Sequence, residues 1–150
     1  MRFVVSLMAA VLLASACGQG PTQAQASPTP EKFGTATLTE TNCDYAMPNV
    51  LPLRLVSFTL VNKTRYTGHF GLVKIDNDHT FQNLVDFWNS PRGKVEPAPF
   101  TALITEQAVA TNGSQELVAT IKDKATYALH CGYKDENENL TGFWHELKAS

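Results

Sequence analysis

The segment that decides the fold is Thr126-Tyr127-Ala128-Leu129-His130-Cys131, followed after a polar stretch by Leu140-Thr141-Gly142-Phe143-Trp144-His145-Glu146-Leu147. The first part has the alternation of side chains that is typical of a half-buried strand. The polar stretch indicates a loop, and the step from glycine to phenylalanine begins a second strand. We therefore predict a strand that ends at Cys131, a loop, and a final strand over residues 143–147.

Similar alternation recurs along the chain from about residue 35. The alternating segments are residues 35–39, which lead into 43–47, and then 53–62, 70–75, 100–105, 116–122, 127–131 and 143–147. Turn signals such as Pro48-Asn49 and Asn112-Gly113 separate them. About seven short strands at this spacing predict an all-β fold, in the form of an antiparallel β-sandwich.

One segment, from about residue 80 to residue 89, has helical periodicity instead. Its apolar residues fall on one helix face, with Thr80 placed to cap the first turn and Pro91 to end the helix. These apolar residues are Phe81, Leu84, Val85 and Trp88. We predict a short α-helix inserted into the sandwich, with its aromatic side chains packed as core.

The chain begins with a predicted secretory signal at residues 1–16. Arg2 precedes an uncharged run that is too short to span a bilayer. Small residues then precede Cys17, which is similar to a bacterial lipobox, where the cysteine is acylated and becomes the mature N-terminus. Ala14 stands where leucine is usual, so the sequence leaves a second interpretation open, in which the chain is cleaved after Ala16 and secreted without lipid.

Residues 17–32 have the composition of a disordered tether. They contain Gly, Gln, Ala, Ser, Thr and Pro and no large apolar residue, so they cannot bury enough surface to offset their chain entropy. The predicted folded domain, residues 33–150, is long enough for one core. The sequence thus predicts an exported domain that is anchored to the cell membrane through lipid on Cys17.

The charge pattern excludes one class of partner. The chain has 12 basic and 14 acidic residues and a formal net charge of −2, with no basic stripe. Nucleic acid is therefore excluded as a partner. The sequence also contains no nucleophile elbow, no phosphate-binding loop and no histidine pair at helical zinc spacing, so we predict that the protein is not an enzyme.

Several motifs resemble one known family. These are Asp44-Tyr45-Ala46-Met47-Pro48, Val56-Ser57-Phe58-Thr59-Leu60-Val61-Asn62, His69-Phe70-Gly71-Leu72-Val73 and Tyr127-Ala128-Leu129-His130-Cys131. They resemble bacterial exported cupredoxin-like proteins, whose fold is that of the type 1 copper proteins. The resemblance implies a Greek-key β-sandwich over nearly all of residues 35–149, with a short inserted helix. It implies less about activity, because one fold hosts many functions.

The resemblance also implies positions for the copper ligands. A type 1 site has two imidazoles, one thiolate and a weak axial ligand. His69 matches the first histidine and Cys131 the thiolate, whereas Glu138 stands at the second histidine and Phe143 at the axial methionine. A carboxylate suits copper–thiolate chemistry poorly, and His145 is a candidate substitute.

The sequence leaves three roles open for Cys131. It can be a free thiol in the core, it can form a disulfide with Cys43, which an exported protein allows, or it can bind metal. The neighbouring His130 is predicted to point to the opposite face of the sheet, because side chains alternate along a strand.

Two functions therefore stand side by side. The first is a binding or interaction module that keeps the fold but lacks a complete copper site, with an unidentified protein or small molecule as its partner. The second is a copper carrier or one-electron-transfer protein that uses His69, Cys131 and either His145 or Glu138. The residues at positions 138 and 143 favour the first.

Overall fold

Two β-sheets face each other in the structure, a computed structural model in which residues 28–150 are described. The predicted signal at residues 1–16, Cys17 and most of the predicted tether lie outside the described residues. The first strand begins at Glu31, so the sandwich starts two residues before the expected boundary at residue 33. Within residues 28–150, no helix is both long and apolar enough to cross a bilayer.

Nine strands form the sandwich. In chain order they are β1 (Glu31–Leu38), β2 (Cys43–Ala46), β3 (Val50–Leu51), β4 (Leu55–Asn62), β5 (Gly68–Ile75), β6 (Thr101–Val109), β7 (Ser114–Thr120), β8 (Thr126–Lys134) and β9 (Leu140–Ala149). The first sheet has the order β2-β1-β4-β7, and the second has the order β3-β9-β8-β5-β6.

The predicted all-β sandwich is confirmed, with two differences in detail. The β1–β4 and β3–β9 pairs are parallel, so both sheets are mixed rather than purely antiparallel. Strand β3 was not predicted, because it has two residues and lies between Pro48 and Pro52. A strand this short has no periodicity to detect.

The main core lies between the two sheets. The largest of its completely buried side chains come from the inward faces of both sheets, and they include Phe58, Leu60, Phe70, Leu72, Leu129 and Leu147. Burial of each such side chain stabilises the fold by about 1.5–3 kcal/mol. This core fixes the register of the strands, because a slip by one residue would turn every apolar side chain to the outside.

The predicted helix is present as α1 (Phe81–Asn89). Thr80 Oγ1 accepts a hydrogen bond from the Asn83 backbone N–H at 3.2 Å, and Asn83 Oδ1 accepts one from the Thr80 backbone N–H at 2.8 Å. This reciprocal cap fixes the start of the helix. A short 3₁₀ turn (Arg92–Lys94) follows it.

Helix α1 packs on the outer face of the second sheet, the face turned away from the first sheet. Leu84 from the helix and Ala98 from the following loop are buried there against Ile75 and Ala128 of the sheet. This smaller core is separate from the one between the sheets. It places the aromatic residues of the helix above strands β8 and β9.

Strand β8 does not end at Cys131 as predicted, but continues to Lys134. Tyr133 causes the extension, because it is 8% exposed, stacks on Tyr66 and donates a hydrogen bond to the Glu40 carbonyl at 2.7 Å. The following turn is tight, since Asp135 Oδ1 accepts hydrogen bonds from the backbone N–H groups of Asn137 and Asn139. The loop predicted between the last two strands is therefore the short turn of a β-hairpin.

Candidate functional site

His69 and Cys131 lie on opposite faces of the second sheet. Phe70 of β5 is directly opposite Cys131 of β8, and both are buried in the main core. His69 is opposite Gly132, so its side chain is on the outer face, where the residue is exposed. Because successive side chains of a strand point to opposite faces, these two predicted ligands cannot meet at one metal ion.

The sulfur of Cys131 is bound to Cys43. The two cysteines form a disulfide between β8 of the second sheet and β2 of the first, with a Cα–Cα distance of 6.5 Å. The Tyr45 hydroxyl donates to Cys131 Sγ at 3.2 Å, and burial raises the pKa of Tyr45 above its usual range. Of the three roles that the sequence left open for Cys131, the structure shows the disulfide.

Glu138 lies in the turn of the β8–β9 hairpin. Its backbone has a φ of 62°, in the left-handed region, and its carboxylate pairs with Lys134 at 3.1 Å. The side chain is exposed. Strand β8 continues to Lys134, so residue 138 lies in the turn beyond the paired segment that holds Cys131. The predicted role of Glu138 at the second histidine position is therefore not supported.

His145 lies on the inner face, near the disulfide. It follows Phe143, the residue opposite Cys131, by two positions on β9, so the two side chains share one face. Its ring stacks on Tyr45 with centroids 4.6 Å apart. Burial lowers the pKa of His145, with a smaller opposing effect from Glu146, so the imidazole is neutral at neutral pH.

The four predicted ligands do not fit a type 1 copper centre. One is exposed on the outer face, one is in a disulfide, one is in a turn and one is stacked on a tyrosine. Across residues 28–150, no three His, Cys, Asp or Glu side chains are grouped closely enough to hold a metal ion. Phe143, at the predicted axial position, packs against the main core instead.

A different site lies between helix α1 and the outer face of the second sheet. It is an open pocket of about 350 Å³, lined mainly by apolar surface. Phe87 and Trp88 of the helix form one side, and His130 of β8 and Trp144 of β9 form the sheet side. A concave, largely apolar pocket of this volume is typical of small-molecule sites.

Three of these rings are in mutual contact. Trp144 packs against His130 with centroids 4.5 Å apart and against Trp88 at 5.6 Å, and Trp88 is 5.2 Å from His130. Gly142 makes this possible, because a Cβ there would lie 2.5 Å from both His130 Nε2 and Trp88 Cζ2. Gly142, which the sequence placed at the start of the final strand, therefore makes room for the aromatic cluster.

Two nitrogen atoms of this cluster lack hydrogen-bond partners among the described residues. They are His130 Nε2 and Trp144 Nε1, and both are inaccessible to solvent. Buried polar groups are normally paired, and a lone one costs about 1–3 kcal/mol. Both atoms therefore face the surrounding protein and not the open pocket.

Burial makes His130 a poor base. Desolvation, with a smaller effect of the nearby His69, lowers the pKa of His130 to about 4. The imidazole is therefore neutral at neutral pH and adds no charge to the pocket.

The charged residues at the pocket are Lys94, Lys134 and Glu96. Glu96 pairs with Arg92, and Lys134 pairs with Glu138. The Lys94 ammonium lies 4.6 Å from the centre of the Trp88 ring and forms no ion pair with any residue of the described range. One positive charge at the pocket is thus left without a counter-ion.

The sequence predicted the placement of two of these side chains, but it assigned the aromatic face of the helix to the core and not to a binding site. The parity of β8 correctly places His130 on the face opposite Cys131, and the helical period correctly places Trp88 on the buried side of α1. Trp144 and Lys94 were not predicted as site residues. The spacing of Gly142 and Trp144, two positions apart on one face of β9, was the available signal.

No protein-family model matches this chain, and no curated protein sequence matches it. Among solved structures, it is similar to a dithionite-reduced auracyanin from the photosynthetic bacterium Roseiflexus castenholzii (11% identity, TM-score 0.49, 83% of this chain and 99% of that one). It is also similar to auracyanin A, a "blue" copper protein from Chloroflexus aurantiacus (15% identity, TM-score 0.49, 81% and 100%). A multicopper oxidase is more distant (11% identity, TM-score 0.43, 83% and 45%).

The chain has the all-β sandwich fold that the sequence predicted. At these identities and TM-scores the similarity assigns no family, function or metal to this protein.

Proposed function

We propose that this protein is a lipid-anchored, extracytoplasmic, cupredoxin-like binding module that works without a type 1 copper centre. The observation that carries the proposal is the Cys43–Cys131 disulfide. A thiolate is the strongest ligand of a type 1 site, and a sulfur already bonded to another sulfur cannot serve as one. The exposed position of His69 on the opposite face of the sheet supports the same conclusion.

The binding role is supported by the pocket under helix α1. Its rings are held by a capped helix and two paired strands, so the pocket is built on rigid elements. It contains one cation without a counter-ion among the described residues. These features suit recognition of a ligand.

We expect titration of the oxidised protein with Cu(II) to give no intense blue thiolate-to-copper absorption. The double variant Glu138→His/Phe143→Met should also remain colourless, because residue 138 is in the hairpin turn and Cys131 is in a disulfide. The measurement is the visible spectrum, together with a count of free thiols in the unfolded protein.

The matched control is Cys43→Ala, which frees the Cys131 thiol without changing His69 or His145. It should also stay colourless, since His69 and Cys131 are on opposite faces. Intense blue colour in the wild-type protein would contradict the proposal. Blue colour in Cys43→Ala alone would show that the disulfide masks a working copper site, in favour of a copper carrier.

The location at the membrane surface is supported by the lipobox-like residues before Cys17 and by the disulfide, since disulfides persist in oxidising compartments. When the full chain is produced in a bacterial host, we expect the protein to fractionate with membranes and to carry acyl mass on Cys17. Cys17→Ser should release it or stall its processing. Recovery of the wild-type protein in the soluble fraction, with an unmodified N-terminus, would support secretion instead.

A further inference from the structure

We propose that the pocket under helix α1 binds a small aromatic molecule that carries one carboxylate. The ring would be held among Phe87, Trp88 and Trp144, and the carboxylate would pair with Lys94. This inference rests on the proposed function and deepens it, because it names the ligand class of the binding module.

The walls of the pocket select an aromatic ligand. Three of its lining residues are large aromatic side chains, and two of them, Trp88 and Trp144, pack edge-to-face with an interplanar angle of 76°. Aromatic side chains attract an aromatic ligand in offset or edge-to-face geometry, beyond the burial of their area. The volume of about 350 Å³ is near the lower end of ligand pockets, so the ligand is small.

The charges select an anion and disfavour a cation. Lys134 forms an ion pair with Glu138, and Glu96 forms one with Arg92. Neither charge is therefore free to pair with a ligand. Lys94 remains without an acidic partner among the described residues. One unpaired ammonium matches one carboxylate, and an amine ligand would be repelled by it.

The other polar groups at the pocket add no second charge. Trp144 Nε1 is inaccessible to solvent, so it does not face the ligand. The neutral His130 imidazole adds no positive charge that would attract a second carboxylate. A monocarboxylate therefore fits the polar groups better than an amine or a dicarboxylate.

The chain supplies its own reporter of binding. It contains two tryptophans, and both line this pocket. A change in tryptophan fluorescence on titration therefore reports directly on the proposed site. The test uses the full chain with Cys17→Ser, recovered from the soluble fraction, so that neither an acyl chain nor detergent competes for the apolar walls.

The test compares three probes with the same phenyl ring, namely phenylacetate, 2-phenylethanol and phenethylamine. We expect phenylacetate to give a saturable fluorescence change, confirmed by calorimetry. The neutral alcohol should bind about tenfold more weakly, as expected for loss of one charge-assisted contact, and the amine should not bind. Phenylacetate affinity should also fall as salt is added.

Lys94→Gln is the decisive variant, because the residue is exposed and its loss leaves the core intact. It should weaken phenylacetate about tenfold and leave the alcohol unchanged. Lys122→Gln, an exposed lysine outside the pocket, is the matched control and should change neither.

Equal binding of phenylacetate and phenethylamine, an unchanged affinity in Lys94→Gln, or no saturable signal with any probe would each overturn the inference. The copper titration is independent of these results. If only the proposed ligand class is wrong, the proposal of a copper-free binding module is unaffected.

Discussion

Loss of the Cys43–Cys131 disulfide is expected to lower the free energy of unfolding by about 4 kcal/mol. The two cysteines are 88 residues apart in the sequence, so the cross-link closes most of the folded domain into one loop. Closing such a long loop restricts the unfolded chain strongly, and its release favours unfolding. Urea denaturation of Cys43→Ala/Cys131→Ala against the wild-type protein measures the difference.

A second comparison separates the cross-link from side-chain packing. Wild-type protein that has been reduced keeps both sulfur atoms in the core, where Cys43 and Cys131 are 5% and 0% exposed. It should lose nearly as much stability as the double variant, because most of the effect arises in the unfolded chain. A loss below about 1 kcal/mol in both would show that the sheets hold together without the bond.

The disulfide also connects the stability of the fold to its function. It joins β2 to β8, and Tyr45 of β2 lies against both Cys131 and His145. The inner-face residues that would form a copper site thus hold the two sheets together. On the other face of β8, His130 is free to take part in the pocket.

The strands and the helix could be predicted because their signals are local. Period-two alternation predicted the strands of both sheets other than β3, and Thr80 with the apolar face of 81–88 predicted the start and orientation of α1. The end of β8 could not be predicted in this way. It depends on Tyr133 meeting Tyr66 and the Glu40 carbonyl, which are 67 and 93 residues away in the sequence.

The site was predictable only in part for the same reason. The alternation along β8 separates His130 from Cys131, and this follows from the sequence alone. The register of three strands brings Cys131 to Cys43 and turns His69 away from both. The packing of α1 and the following turn on the sheet places Lys94 and Trp88 above Trp144. Neither arrangement leaves a local pattern.

Asn62→Ala is expected to lower the free energy of unfolding by about 3 kcal/mol. Asn62 is completely buried at the end of β4, and its Nδ2 group donates to the carbonyls of Tyr66, Val109 and Ala110 at 2.7–3.2 Å. Its Oδ1 accepts from the backbone N–H and the hydroxyl of Thr64, each at 2.9 Å. Alanine would remove the side-chain partner of the Val109 carbonyl and of the Thr64 backbone N–H, whereas the Tyr66 and Ala110 carbonyls keep bonds from the Thr64 hydroxyl and the Gly113 N–H. Each unpaired buried group costs about 1–3 kcal/mol.

The amide of Asn62 has a structural consequence beyond its own bonds. Its hydrogen bonds connect β4 to the loop from Lys63 to Thr67 and to the end of β6. They thereby set where β5 enters the second sheet. Asn62→Asp keeps the shape and the acceptor oxygens but removes the donor and buries a charge among carbonyls. It should therefore destabilise the protein at least as much as alanine does.

The matched control is Asn42→Ala, which removes an exposed amide that donates to Asp44 Oδ1 at 2.7 Å. Its loss should cost less than about 1 kcal/mol, because water replaces an exposed hydrogen bond. Equal, small losses for the two alanine variants in urea denaturation would mean that water reaches the Asn62 site and satisfies the carbonyls. A large loss of unfolding free energy for Asn62→Ala alone would show that this one buried amide determines the geometry of this end of the sandwich.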